Sequence, residues 1–217
     1  MRLLFVPVLL LGLIAVCPSA GADGAKKADD KGWVQLFNGK DLTGWKTHPD
    51  DKAVWKVEDG ILIGTGPAGH LFSERDDYQN FDYKVEAMIN DHGNSGQYFR
   101  TAYGKSFPKG YEAQINSTHR DPVRTGSLYN FVKILKQLHK PDEWFTQEVH
   151  AVGNHIVIKV NGETTVDFVD PKSTYMKGHF ALQQHDPGTV VKFRKIEVRE
   201  LPAGATDPAA TTDKTDK

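Results

Sequence analysis

Between Asn94 and Tyr129 the sequence reads NSGQYFRTAYGKSFPKGYEAQINSTHRDPVRTGSLY, and this is where residues able to do chemistry fall at regular spacing. Side chains alternate faces along a β-strand. In Tyr111–Asn116 that rule puts Glu112, Gln114 and Asn116 on one face and Tyr111, Ala113 and Ile115 on the other. In Ser95–Arg100 it separates Gly96, Tyr98 and Arg100 from Gln97 and Phe99. A carboxylate, an amide and a guanidinium on neighbouring strands would make a polar floor suited to a hydroxyl-rich ligand. Glu112 is the candidate general acid or base. Arg100 would either pair with Glu112 or grip ligand oxygens with its planar fork.

Other candidates stand outside those two strands. His185 follows Gln183-Gln184 just past a strand end, and His119 lies in the loop after the Glu112 strand; either could carry a proton near neutral pH. Tyr129 closes a hydroxyl-rich segment, Thr125–Tyr129. Glu74 and Arg75 follow Leu71-Phe72-Ser73, as a second carboxylate edge or a plain surface ion pair. Each has a blander reading: a single Glu on an open sheet face is usually solvated, and a lone His is usually a hydrogen-bonded structural residue. The company of Gln114 and Asn116 is what lifts Glu112 above that. Trp33, Trp45, Trp55 and Trp144 could include a sugar-stacking ring, although Trp55 alternates correctly with Val57 for the core.

Several chemistries are disfavoured. None of the nine histidines sits in an HExxH or comparable metal motif. Ser127 has no evident base and oxyanion partner, so a serine hydrolase fits poorly. Gly64–Gly69 holds three glycines but no following Lys-Ser/Thr and no helix, and reads as a loop. With 27 Lys+Arg against 28 Asp+Glu and no basic block, nucleic acid is not an expected partner.

The elements that must position these groups are short strands. Phe81–Asn90 is the clearest, with Phe81, Tyr83, Val85, Ala87 and Ile89 on one face. Asp59-Gly60 and Asn161-Gly162 mark tight hairpins. The apolar set shifts between Val191/Phe193 and Ile196/Val198, which predicts a bulge near Arg194. Phe131, Ile134, Leu135 and Leu138 have helical spacing and predict one short amphipathic helix ended by Pro141. About a dozen short strands without βαβ alternation predict an all-β sandwich with little helix.

The ends read differently. Met1–Ala22 has the form of a signal peptide: Arg2, an apolar run Leu3–Val16, and small residues Ala20-Gly21-Ala22 before Asp23. Secretion or export to the periplasm is expected, with cleavage after Ala22; lipid anchoring at Cys17 is the alternative. The apolar run is too short for a confident membrane span. Cys17 is the only cysteine, so a mature chain would have no thiol. Residues 23–31 read as a flexible leader, 32–201 as one domain, and 202–217 as a disordered tail.

The segments GWVQLFNGKDLTGWK, WKVEDGILIGTG, LFSERDDYQNFDYKVE, NSGQYFR, GYEAQI, TGSLY, EWFTQEV and ALQQHDPGTVVKFRKIEVREL, in that order across residues 32–201, resemble the 3-keto-disaccharide hydrolase family, long known as a domain of unknown function. The resemblance implies a concanavalin-like jelly-roll sandwich of two antiparallel sheets with a sugar site on its concave face. It implies cleavage of glycosides whose ring a sugar 3-dehydrogenase has first oxidised to a 3-ketone. The family's polar motif residues fall on Asn94, Arg100, Glu112, Gln114 and His185, and on Glu74. Two positions depart from it: Asn116 stands where a carboxylate is common, and Phe145 where Asn is. The implied chemistry is proton abstraction beside the ketone, loss of the aglycone and addition of water. Glu112 or His185 would be the base, and Arg100 and Gln114 would hold enolate or sugar oxygens. A divalent cation held by carboxylate and imidazole is the alternative to Arg100. A non-catalytic carbohydrate-binding module is the competing function.

Overall fold

The computed structural model describes residues 28–29, 31–205 and 207. Thirteen strands account for its regular structure: β1 (Val34–Gln35), β2 (Trp45–Thr47), β3 (Val54–Glu58), β4 (Ile61–Thr65), β5 (Gly69–Ser73), β6 (Phe81–Ile89), β7 (Asn94–Thr101), β8 (Tyr111–Asn116), β9 (Phe145–Val152), β10 (His155–Val160), β11 (Glu163–Val169), β12 (His179–Gln184) and β13 (Val191–Glu200). They form two antiparallel sheets. One runs β11-β10-β9-β6-β13-β4-β3 with β1 also on β13, and the other runs β2-β5-β12-β7-β8. The all-β sandwich expected from the sequence is the fold.

Alternation builds the layer between the sheets. Phe81, Tyr83, Val85, Ala87 and Ile89 of β6 are fully buried, and Leu71, Phe99, Ala113, Ile115, Phe180 and Leu182 of the five-stranded sheet meet that layer in one core. Trp55 belongs to it. The turns follow their residue types: Asp59 and Gly60 both have positive φ, as do Asn161 and Gly162. The β13 register against β6 shifts between Phe193 and Lys195, at the expected bulge. β4 pairs with the first half of β13 and β1 with the second, so the bulge separates two neighbours on that edge.

One expectation fails here and another is narrowed. No α-helix occurs among the described residues, and Phe131–Leu138 is mostly irregular backbone after a turn at Phe131 and a bridge at Val132. Its backbone is bonded elsewhere: Val132 bridges Leu128, Ile134 O accepts from Arg124 N–H at 2.8 Å, and Ile134 N–H donates to Ser127 Oγ at 2.8 Å. Eight residues cannot nucleate a helix against those bonds. Gly64–Gly69 is loop only at its centre: residues 66–68 are bends, while Gly64 and Thr65 end β4 and Gly69 opens β5. Gly64 lies in β4, where a Cβ would come within 2.7 Å of the Trp55 ring.

The expected signal peptide at 1–22, with Cys17, lies outside the described residues, as do most of the leader and most of the tail. Pro202–Ala205 makes a turn closed by a 2.9 Å bond from Ala205 N–H to Pro202 O, and Asp207 sits against His150 and His155. No helix among the described residues is long and apolar enough to cross a membrane.

Candidate functional site

The outward face of the five-stranded sheet carries the site. β7 and β8 pair with Gly96 opposite Gln114 and Tyr98 opposite Glu112, so these four residues share one face. β12 adds Ala181 and Gln183 beside them, and β5 adds His70, the register partner of Gln183. Above this floor is a cavity of about 630 Å³. Its floor residues include Asn94, Tyr98, Glu112, Gln114 and Gln183; its rim includes Phe107, Lys109, Asp121, Tyr129, Tyr175 and His185.

Glu112 is 8% exposed and lies over the backbone of Gly96. A Cβ at position 96 would stand 2.4 Å from Glu112 Oε1 and 2.8 Å from the Tyr98 ring, so only glycine leaves room for the carboxyl. Tyr98 Oη donates to Glu112 Oε2 at 2.8 Å. With its amide turned to suit its neighbours, Gln114 donates to Glu112 Oε1 (3.0 Å) and to Ser95 O (2.8 Å). Burial raises the Glu112 carboxyl to about 8, with the Tyr98 hydrogen bond opposing part of that rise. Near neutral pH this group is largely an acid.

His185 is prepared for the opposite task. Its Nδ1 is 2.9 Å from Asp186 Oδ2; burial raises the pKa of that carboxylate, but this bond, the Gly188 N–H and the two neighbouring histidines together lower it and keep Asp186 ionised. Nδ1–H therefore donates to Asp186, which leaves Nε2 with a free lone pair. His119 stands beside it, with ring centres 5.3 Å apart and Nε2 3.6 Å from the same Asp186 oxygen. Burial and the neighbouring His185 lower the pKa of His119.

His119, His185 and Asp186 are the described residues whose ligand atoms come within 4.8 Å of one another, a set able to reach one divalent cation. Its hydrogen bonding does not suit a metal. A metal-bound His normally donates its other ring N–H to an acceptor. His119 Nδ1 instead accepts from Asp121 N–H at 3.2 Å, so the ring proton is on Nε2, facing Asp186. As arranged, the three side chains form an imidazole–carboxylate–imidazole chain.

The other expected site residues divide. Asn94, Gln114 and Tyr129 line the cavity with Glu112 and His185, and His119 stands at its edge, 3.3 Å from the Asn94 amide. Tyr129 Oη donates to Asp121 Oδ2 at 3.2 Å. Arg100 is not in the floor. Between His179 and Ala181, β12 faces an extra residue of β7, and Arg100 there takes φ +49°. That bulge breaks the alternation and turns the side chain away from Glu112. The guanidinium lies near the core ring of Phe81 and donates to Gln79 O (2.9 and 2.6 Å), Gly153 O (2.6 Å) and Tyr175 O (3.2 Å). Burial lowers its pKa to about 10.

Glu74 is exposed and does not line the cavity, while Arg75 pairs with Asp77 and Glu200 on the surface. Asn116 organises the next loop: its amide donates to Asp121 O and Val123 O, and its oxygen accepts from Arg124 and His119 N–H. None of the four Trp residues lines the cavity; its aromatic rings are Tyr98, Phe107, Tyr129, Phe131 and Tyr175. Sequence reading missed Tyr98, Gln183 and Asp186. Tyr98 alternates with Gly96 and could have been found; the partnership of Gln183 with Tyr98 needed the sheet order.

The model of the family described as 3-keto-alpha-glucoside-1,2-lyase-like domain matches residues 32–199. A 3-keto-disaccharide hydrolase of Bacteroides thetaiotaomicron is 23% identical over 172 residues; the match takes in 64% of this chain and spans 59% of that protein's length. Among solved structures, a proposed glycosyl hydrolase from Parabacteroides distasonis superposes with a TM-score of 0.69 at 24% identity, over 79% of this chain and 95% of that one. The carbohydrate-binding module CBM66 from Bacillus subtilis superposes with a TM-score of 0.56 at 17% identity, over 72% and 96%. At these identities the superpositions establish the fold alone.

Proposed function

This chain belongs to the family of 3-keto-alpha-glucoside-1,2-lyase-like domains, and from that premise we propose that it cleaves 3-keto-glycosides, 3-keto-disaccharides among them. The observation that carries the reading is the pair of ionisable groups in one cavity: a buried carboxyl raised to about 8, and an imidazole whose tautomer a carboxylate holds. Environments that separate an acid from a base in this way suit proton transfer at two places on one substrate.

A ketone at ring position 3 acidifies the hydrogen at position 2. His185 Nε2 takes that proton, and the electron pair enters the enolate. Collapse of the enolate expels the aglycone oxygen from position 1, and the Glu112 carboxyl protonates it. Water then adds across the new double bond, its hydroxyl at position 1 and its proton at position 2, for net hydrolysis. Lys109 and the Asn94 amide line the cavity and supply charge and a donor for the enolate oxygen. This replaces Arg100 in that role. The route differs from that of paired-carboxylate glycosidases.

The test is release of aglycone from a 3-keto-glucoside against the matching unoxidised glucoside. Release from the oxidised substrate alone, with loss of on the order of 100-fold or more in Glu112→Gln and in His185→Gln, supports the reading. Binding of both without release would make the protein a carbohydrate-binding module instead. Addition of a chelator in the same assay tests the metal-free arrangement of the histidines. The reading places the protein after a sugar 3-dehydrogenase, and Met1–Ala22 directs it to the periplasm or outside the cell.

A further inference from the structure

The cavity has a direction, set by the strands beneath it. β7 and β8 are antiparallel, with Asn94 opposite Asn116 at one end and Phe99 opposite Tyr111 at the other. Leu182 pairs with Gln97 and Ala181 with Tyr98, so β12 runs toward the start of β7 and delivers His185 to the Asn94 end. His119 stands there too, 3.3 Å from the Asn94 amide. Glu112 lies between the ends, over Gly96. At the far end Phe131 and Tyr175 line the cavity, their ring centres 5.4 and 5.0 Å from that of Tyr111.

That far end is apolar and open to solvent. Seven large hydrophobic side chains are exposed among the described residues, and four of them belong to this end by position. They are Phe131 itself at 37%, Leu135 four residues on, Val169 beside Phe168, and Met176 beside Tyr175. The Phe168 ring is 5.7 Å from that of Phe131. Apolar surface grouped at the mouth of a polar cavity marks a place that receives something apolar. A second sugar laid on it would give up water without partners for most of its hydroxyls. A flat aryl ring would stack on Phe131 and Tyr175 and strand nothing.

The proposed reaction gives this end a role. With His185 at position 2 of the sugar and Glu112 at the oxygen of position 1, the aglycone leads away from the imidazole and beyond Glu112. We propose that Phe131 and Tyr175 form the leaving-group subsite and that it takes an aryl aglycone. The proposal rests on the 3-keto-glycoside reading for the direction of the bound glycoside. Phe131 and Tyr175 are specificity-determining residues by this account, since neither reaches the reacting atoms; the acid and base remain Glu112 and His185.

The experiment is isothermal calorimetry with phenyl glucoside, methyl glucoside and a glucosyl-glucose disaccharide, each as both anomers. The proteins are the wild type, Phe131→Ala, Tyr175→Ala and, for the imidazole end, Phe107→Ala, whose ring centre is 6.1 Å from that of His185. Unoxidised sugars keep the measurement independent of turnover. The wild type should bind the phenyl glucoside more tightly than the methyl glucoside by on the order of 10- to 100-fold. The disaccharide should stay within about 3-fold of the methyl glucoside, for want of polar partners. Phe131→Ala and Tyr175→Ala should each weaken the phenyl glucoside by on the order of 10-fold and leave the methyl glucoside within about 3-fold, while Phe107→Ala keeps the preference. Phe131 is exposed, so its truncation spares the core and decides the matter if Tyr175→Ala does not fold. The proposal is overturned if the phenyl glucoside gains no more than about 3-fold over the methyl glucoside, absence of binding included. It is overturned equally if the disaccharide is the ligand preferred, if the phenyl preference survives in Phe131→Ala, or if Phe107→Ala removes it as fully. No release of aglycone from 3-keto-glucosides, with the phenyl preference and its loss in Phe131→Ala intact, would instead overturn the catalytic reading and leave this subsite standing.

Discussion

Tyr98 Oη donates to Glu112 Oε2 across 2.8 Å, from the position directly opposite on the neighbouring strand. This bond favours the ionised carboxylate and so holds the Glu112 pKa below the level that burial alone would set. Removing it in Tyr98→Phe should move the pKa further upward. If Glu112 acts as the acid, activity in the wild type falls as pH rises through about 8, and that limb should shift to higher pH in Tyr98→Phe. The pH dependence of kcat for a 3-keto-glucoside reads it; a limb unmoved, or moved down, removes Glu112 as the acid.

The same carboxyl carries a stability cost with a defined sign. Its pKa rises from an ordinary 4.5 in the unfolded chain to about 8 in the fold. Folding is therefore unpenalised below about pH 4.5 and progressively weakened as pH climbs toward 8, because the unfolded chain loses the proton first. Glu112→Gln should be more stable than the wild type at pH 8, by on the order of a few kcal/mol, and should match it near pH 4. Denaturation at the two pH values decides the matter.

Gly96→Ala places a methyl 2.4 Å from Glu112 Oε1, closer than any real Cβ contact. The carboxyl must leave its position or the strands must part. Activity should drop by on the order of 100-fold, since displacement of a reacting group by about 1 Å has that effect, with a stability loss of about 1–3 kcal/mol. A fully active Gly96→Ala enzyme would contradict the placement of Glu112 in the reaction.

Arg100 should behave as a structural residue. Its guanidinium satisfies the carbonyls of Gln79, Gly153 and Tyr175, three points on three separate loops. Arg100→Met should destabilise by about 3–5 kcal/mol, while the KM of folded enzyme should stay within about 3-fold of wild type. A large rise in KM without loss of stability would return Arg100 to the substrate.

His150 and His155 tie Asp207 to the sheet. His150 bonds Asp82 at 2.6 Å and Asp207 at 3.0 Å; His155 bonds Asp207 at 2.8 Å and Asp167 at 2.7 Å. A histidine with a carboxylate at each nitrogen must carry both protons to donate to both. The Asp82 bond raises the His150 pKa; for His155, burial lowers it but the Asp167 and Asp207 bonds outweigh that. Raised folded values give stability that is full below the ordinary histidine range, near 6.5, and is lost as pH rises through the raised ones. The melting temperature of the wild type should fall relative to His155→Gln as pH rises above about 6.5, and the profile of His155→Gln should be flatter.

Much of this protein is written in local patterns. Alternation in Phe81–Ile89 and Tyr111–Asn116 was enough to name the core face and to put Glu112 and Gln114 together, because a pleated strand has a two-residue period whatever surrounds it. Asp59-Gly60 and Asn161-Gly162 announced their turns because few residues accept positive φ. Arg100 shows where that ends. Its alternation is broken by one extra residue facing β12, and a bulge depends on a partner strand some eighty residues away in the chain. Phe131–Leu138 has a helix's spacing but spends its backbone bonds on Arg124–Leu128. The raised pKa of Glu112 and the Asp186-held tautomer of His185 were likewise decided by tertiary structure. Desolvation and hydrogen bonding are set by which strands lie side by side, and no period within one strand encodes that.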